Sequence, residues 1–110
     1  MIVRRKSPEA EARQLSDDPH LWISVYLWVE KIAGSFDVND PEAMHVPPAR
    51  GVSIDARTGE MVVATNRGLQ PAKVGDWVLL DQIEGFSVIT RASFEAEYEA
   101  ASTGLVRGRV

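Results

Sequence analysis

The sequence contains no cysteine. Disulfides, thiolate catalysis and zinc sites built on cysteine are thereby excluded, and a reducing compartment fits the chain. Long hydrophobic runs are also missing. The longest apolar stretch, Leu21 to Val29, is interrupted by Ser24 and falls far short of the ~20 residues that span a bilayer. The opening Met1-Ile2-Val3-Arg4-Arg5-Lys6 turns polar at once. With no apolar segment and no cleavage site, it does not read as a signal peptide. A cytoplasmic protein without a membrane partner is the expectation. Positive charge is not in excess either: 12 basic residues against 16 acidic ones leave a net charge of -4. The chain as a whole therefore lacks the electrostatic footprint of a nucleic-acid binder, and nucleic acid is not expected as a partner.

Catalytic signatures are absent as well. There is no GxSxG elbow, no Walker glycine loop and no dinucleotide fingerprint. The two histidines, His20 and His45, stand in different contexts, one at a helix start and one among prolines. Neither has a second ligand at metal-binding spacing. No catalytic residue, metal site or cofactor is expected, and an enzyme finds no support.

What is present is an ordinary globular composition. The 110 residues suffice for one domain with one core. The strongest local signal is a helix. Asp18 can cap free N–H groups and Pro19 suits the first helical position. Leu21, Trp22, Val25, Trp28, Val29 and Ile32 then make one wide apolar face. Gly34 is a natural C-terminal cap, so the spacing predicts a helix over 19–33. Its other side is unusual. Ile23 and Leu27 lie one turn apart among the polar residues His20, Ser24, Glu30 and Lys31, with Tyr26 at the border. A helix apolar on nearly all sides is buried on both sides or shares its outer side with a partner.

The remainder reads as β-structure. Alternation suggests a short strand over 9–15, and Ile2 and Val3 could start an edge strand. Residues 37–50, with Pro41, Pro47 and Pro48, read as a long loop. Val52 to Thr65 reads as a hairpin turning at Thr58-Gly59. Val74 to Asp81 carries apolar residues on both faces and is expected to be a central strand. Trp77 is then expected to be largely buried against Val25 and Val29 of the helix. Gly75-Asp76 before it reads as a turn that sets strand register. Glu84-Gly85 turns into Phe86-Ser87-Val88-Ile89. A brief helical turn near 91–93 precedes a last strand, with Phe94, Ala96 and Tyr98 on one face and Glu95, Glu97 and Glu99 on the other. The expected fold class is α+β: one amphipathic helix packed on an antiparallel sheet of about four to six strands. Residues 1–99 form the domain, with a long loop near 37–50, and 100–110 are expected to be a flexible C-terminal tail.

Two surfaces stand out as candidate sites. Ile23 and Leu27, flanked by Tyr26 and Trp28, are the candidate partner-binding residues. They could also form the seam of a homodimer across a two-fold axis, with Glu30 and Lys31 at its rim. The bland reading has the loop 37–50 fold back over that side. Arg4, Arg5 and Lys6, with Arg13, Arg107 and Arg109 as possible neighbours, form a possible anion-binding patch, although adjacent charges are usually just solvated.

Three short segments carry a family resemblance. These are Val74-Gly75-Asp76-Trp77-Val78-Leu79, then Glu84-Gly85-Phe86-Ser87-Val88, then Phe94-Glu95-Ala96-Glu97-Tyr98-Glu99. Their order is similar to that in a family of small phage and prophage proteins whose C-terminal half reads "PGDWI", "GEFY" and "FEATYE". In the N-terminal half the basic opening, Glu11-Ala12-Arg13-Gln14 and the helix after Asp18 also fit. Val74 replaces the usual proline, and Thr90-Arg91-Ala92-Ser93-Phe94 replaces "KPDIF". The resemblance implies a bacteriophage setting and supplies no catalytic residues. The function expected on this basis is a phage-encoded accessory protein that binds and modulates a host protein, in host takeover or anti-defence, without catalysis. The alternative is a small-ligand or nucleotide-binding protein that sequesters its ligand, using the basic run and an aromatic such as Trp22 or Trp77.

Overall fold

The computed structural model describes residues 9–40, 50–102 and 104–108. Ile2, Val3, Arg4, Arg5, Lys6, His45, the prolines of the long loop and Arg109 lie outside the described residues. The α+β class holds: the described residues form two helices and eight strands, with the strands in an antiparallel five-stranded sheet and a three-stranded sheet.

The helix α1 (Pro19–Ala33) forms where the capping signals place it. The carboxylate of Asp18 accepts the His20 N–H at 2.9 Å, and the Gly34 N–H closes the other end on the Glu30 carbonyl at 2.8 Å. Before it runs β1 (Glu9–Gln14). Poor strand formers though they are, Ala10 and Ala12 sit in the middle of the large sheet, because β1 is paired on both sides, with β5 and β8.

The small sheet comprises β2 (Val52–Ile54), β3 (Met61–Thr65) and β4 (Gly68–Ala72). The β2–β3 hairpin is the expected one. Asp55 organises its turn: its carboxylate accepts the Arg57 N–H at 2.9 Å, and its carbonyl accepts from Gly59 at 2.7 Å. Met61, Val62 and Val63 are all buried, so β3 is covered on both faces. Pro71, which lacks an N–H to donate, is tolerated because β4 is an edge strand of this sheet. Of the loop 37–50, Asp37 to Asp40 and Arg50 are described, and Asn39 staples the first of these to β2. Its amide donates to the Ile54 carbonyl at 3.0 Å and accepts from the Ala56 N–H at 2.9 Å.

The chain returns to the large sheet through the Gly75-Asp76 turn, which sets register as expected. Gly75 N–H donates to the Leu15 carbonyl at 2.8 Å, Leu15 N–H to that of Asp76 at 2.9 Å, and the Asp76 carboxylate accepts from Lys73 at 3.0 Å. The strand β5 (Trp77–Asp81) is interior, as its two apolar faces require. It hairpins into β6 (Gly85–Ile89). Next come a second helix, α2 (Arg91–Glu97), and then β7 (Tyr98–Ser102) and β8 (Leu105–Gly108). The strand order is β6-β5-β1-β8-β7.

The large sheet is covered on both faces. Leu15, Val25, Trp28, Val29, Val52, Met61, Val63, Val78 and Phe86 make one buried cluster, which holds α1 and the small sheet. Ala10, Ala12, Leu79, Phe94 and Val106 make the other, under α2.

Four expectations are corrected here. Trp77 does not meet Val25 and Val29. It is only half-buried and faces the opposite side of the sheet, where its ring lies 3.9 Å from that of Phe94 at an interplanar angle of 8°. Side-chain alternation puts Val78 on the α1 side and so sends Trp77 to the other. The helical turn expected near 91–93 runs on to Glu97, so residues 94–97 are helical rather than the start of a strand, because the Thr90 hydroxyl caps the Ser93 N–H and Arg91 pairs with Glu95 at 3.2 Å one turn on. Glu95 and Glu97 therefore lie on α2, and only Glu99 lies on a strand. Finally, residues 100–108 do not form a free tail where they are described. The strand β8 pairs with both β1 and β7, with Val106 opposite Ala10 and Ala100. One buried valine is enough there because its neighbours supply the rest of the core.

Candidate functional site

The outer side of α1 carries two large, exposed apolar side chains. Ile23 is 42% and Leu27 52% exposed. They stand one turn apart, with His20, Ser24 and Lys31 exposed beside them and Glu30 half-exposed. Leu21 (54%) and Ile32 (50%), expected on the core face, are exposed too. They lie within the angular span of the buried stripe but at opposite ends of the helix. The sheet covers only the middle, Val25, Trp28 and Val29.

Tyr26 borders this surface, half-buried, with its ring 6.1 Å from Trp22 and nearly parallel to it. Trp28 is not part of the surface, which corrects its assignment as a partner-binding residue. It is buried, edge-on to Phe86 at 5.4 Å, with the Arg13 guanidinium 4.6 Å above its ring. The wheel position of Trp28 belongs to the core face, and an indole that large finds its partners on β1 and β6. The main concentration of positive charge expected in the sequence, Arg4, Arg5 and Lys6, lies outside the described residues. Of its expected neighbours, Arg13 is committed to Trp28, while Arg107 lies on β8.

A second feature, a concave one, was not legible in the sequence. A cleft of about 300 Å³ opens between the β3–β4 turn, β6 and α2, lined by Arg67, Glu84, Ser87, Glu97 and Tyr98 among others. A smaller hollow of about 140 Å³ shares Leu79, Glu84, Ser87 and Tyr98 with it and adds Asp81. Tyr98 is the aromatic centre of this region, continuing the Trp77–Phe94 stack with its ring 5.5 Å from Phe94. Burial raises the pKa of its phenol, and the carboxylates of Glu97, Asp81 and Glu84 raise it further. Three carboxylates against the one guanidinium of Arg67 make this lining unfavourable to phosphate. No sequence signal could have revealed the cleft, since its walls come from three separate parts of the chain.

Among the described residues, no group of three histidines or carboxylates is placed to hold a metal ion, and no helix is long and apolar enough to cross a membrane. No family model, no curated protein and no solved structure matches this chain.

Proposed function

We propose that this chain is an accessory protein that acts by binding another protein, without catalysis of its own. The outer side of α1 is its docking surface. The phage resemblance implies that the target is a host protein whose activity is modulated. The observation that carries the reading is the pair Ile23 and Leu27. Single exposed apolar residues are normal on any surface. Two adjacent ones on a capped helix, anchored by Val25, Trp28 and Val29 on its other side, make a rigid apolar ridge. A Leu27→Asp variant tests it. Tagged wild-type protein should retain a specific protein from bacterial lysate, and the variant should lose it while keeping the wild-type melting temperature. Retention of the same protein by the variant would refute the reading, as would unfolding of the variant, which would make Leu27 a core residue.

Nothing specific favours the small-ligand alternative. One face of Trp77 is filled by Phe94, Trp22 is occupied by Tyr26, and the cleft presents carboxylates to any phosphate.

A further inference from the structure

We propose that the cleft beside Tyr98 is a second docking surface, which receives an arginine side chain of a partner protein. None of its described lining belongs to α1, so it stands independently of the apolar ridge there.

Two adjoining hollows make this surface, and they share Leu79, Glu84, Ser87 and Tyr98. Glu97 lies in the wall of the larger and Asp81 in that of the smaller. The Asp81 carboxylate is held in place by the N–H groups of Ile83 and Glu84, at 2.7 and 3.1 Å. Glu84 and Glu97 are exposed, and among the described residues neither has a cation as partner. The cation on α2, Arg91, is engaged by Glu95 at 3.2 Å. Arg67 lines the larger hollow without forming an ion pair to a described residue. The negative field reaches the ring: burial holds the Tyr98 phenol neutral, and Glu97, Asp81 and Glu84 each oppose its ionisation further. The fold thus leaves an aromatic ring among carboxylates whose charge Arg67 offsets only in part.

A guanidinium matches that lining better than other charged groups. It is planar and weakly hydrated, stacks on aromatic faces, and offers paired N–H donors to a carboxylate. The Phe94 ring lies 5.5 Å from that of Tyr98 and nearly parallel to it, so the aromatic platform is fixed before a guest arrives. Leu79, buried and common to both hollows, is an apolar contact for the methylene stem. A metal ion fits less well, because no three described carboxylates or histidines are placed to hold one. Single exposed ion pairs contribute little, but several charges about one ring form a network. Size favours a side chain over a free small molecule: about 300 and 140 Å³ lie at or below the lower end of small-molecule sites, roughly 300–1,000 Å³. A protein partner brings the rest of its own surface to the contact and needs no enclosed pocket.

Nuclear magnetic resonance of the full chain tests the proposal with blocked tripeptides: Gly-Arg-Gly, Gly-Lys-Gly and a citrulline analogue, which keeps the shape of arginine without its charge. The arginine peptide should shift the amide resonances of Glu84, Ser87 and Tyr98 saturably. The lysine peptide should bind more weakly and the citrulline peptide not at all. Glu84→Gln with Glu97→Gln should weaken binding of the arginine peptide by about tenfold or more. Its melting temperature should match the wild type, because both side chains are exposed. The peptide comparison is made on the wild type and decides the matter whether or not the variant folds. No saturable shift, equal binding of the citrulline or lysine peptide, or a folded double variant with wild-type affinity would each overturn the proposal. So would tighter binding of propylguanidinium than of the arginine peptide, which would assign the cleft to a free cation. Leu27→Asp should leave these shifts intact, so this surface and the one on α1 fail separately.

Discussion

At Gly51 a methyl group has nowhere to go. A Cβ there would lie 1.8 Å from the Gly34 carbonyl oxygen, and φ is +90°. The closeness is built in, because Val52 N–H donates to that same oxygen at 3.1 Å and Phe36 N–H donates to the Val52 carbonyl at 3.1 Å. This contact joins the end of α1 to the small sheet. Gly34 has a similar φ of +87° but open space around its missing Cβ. Gly34→Ala should therefore cost about 1–3 kcal/mol, from a φ of 87° and ψ of −166° that residues with a Cβ hardly adopt. Gly51→Ala should cost on the order of 3–5 kcal/mol, because backbone must move as well. Urea unfolding of the two variants checks the contrast, and equal midpoints would remove the close approach from the account.

Tyr98 gives a second residue-scale prediction. Burial, then Glu97, Asp81 and Glu84, hold its pKa above the ordinary 10.0. A folded pKa raised above the unfolded one contributes stability below the unfolded value, and that contribution is lost as pH rises through the folded value. Stability should therefore fall at alkaline pH beyond 10 as the phenolate forms. Tyr98→Phe should remove that part of the loss. Phenolate absorbance and urea midpoints measured over the same alkaline series test both halves of the claim.

At the scale of elements, the C-terminal hairpin carries the sharpest test. The strand β8 lies between β1 and β7, and Val106 is 7% exposed. A chain truncated after Ser102 loses this strand, bares the edge of β1 and uncovers Ala10. It should lose cooperative unfolding and tend to aggregate through the open edge. A truncated chain with wild-type stability would reinstate the flexible tail. The helix α1 was legible because its signals are local: a capping carboxylate, a proline at the first position, a 3.6-residue apolar period and a closing glycine. The strand β8 has no such signals, and α2 has only the capping Thr90 and the Arg91–Glu95 pair, with no apolar period to give its length. The alternation of Phe94, Ala96 and Tyr98 fits a strand, yet Phe94 and Tyr98 are also four apart. As the last turn of α2 gives way to β7, the two rings stack at 5.5 Å.

For the whole molecule, the large sheet separates two cores, and the tryptophans divide between them. Trp22 and Trp28 report on the α1 side and Trp77 on the α2 side. Since β5 contributes to both, and β1 supplies one while Leu15 directly after it supplies the other, the two sides should unfold together. A Trp77→Phe variant and a Trp22→Phe/Trp28→Phe variant should each give coincident midpoints by fluorescence and circular dichroism. Different midpoints within one variant would mean that the α2 side melts on its own. Taken alone, the sequence determined the class, the helix and its caps, the interior position of β5 and the apolar outer side of α1. Each of these follows from periodicity and turn chemistry within a few residues. Only the tertiary structure decided which layer covers each face: that Trp77 meets Phe94 rather than α1, that the last residues close the sheet, and that Tyr98 lies among carboxylates. Side-chain alternation says that two faces differ, but the element that covers each face comes from distant parts of the chain, and its choice depends on how the whole sheet is assembled.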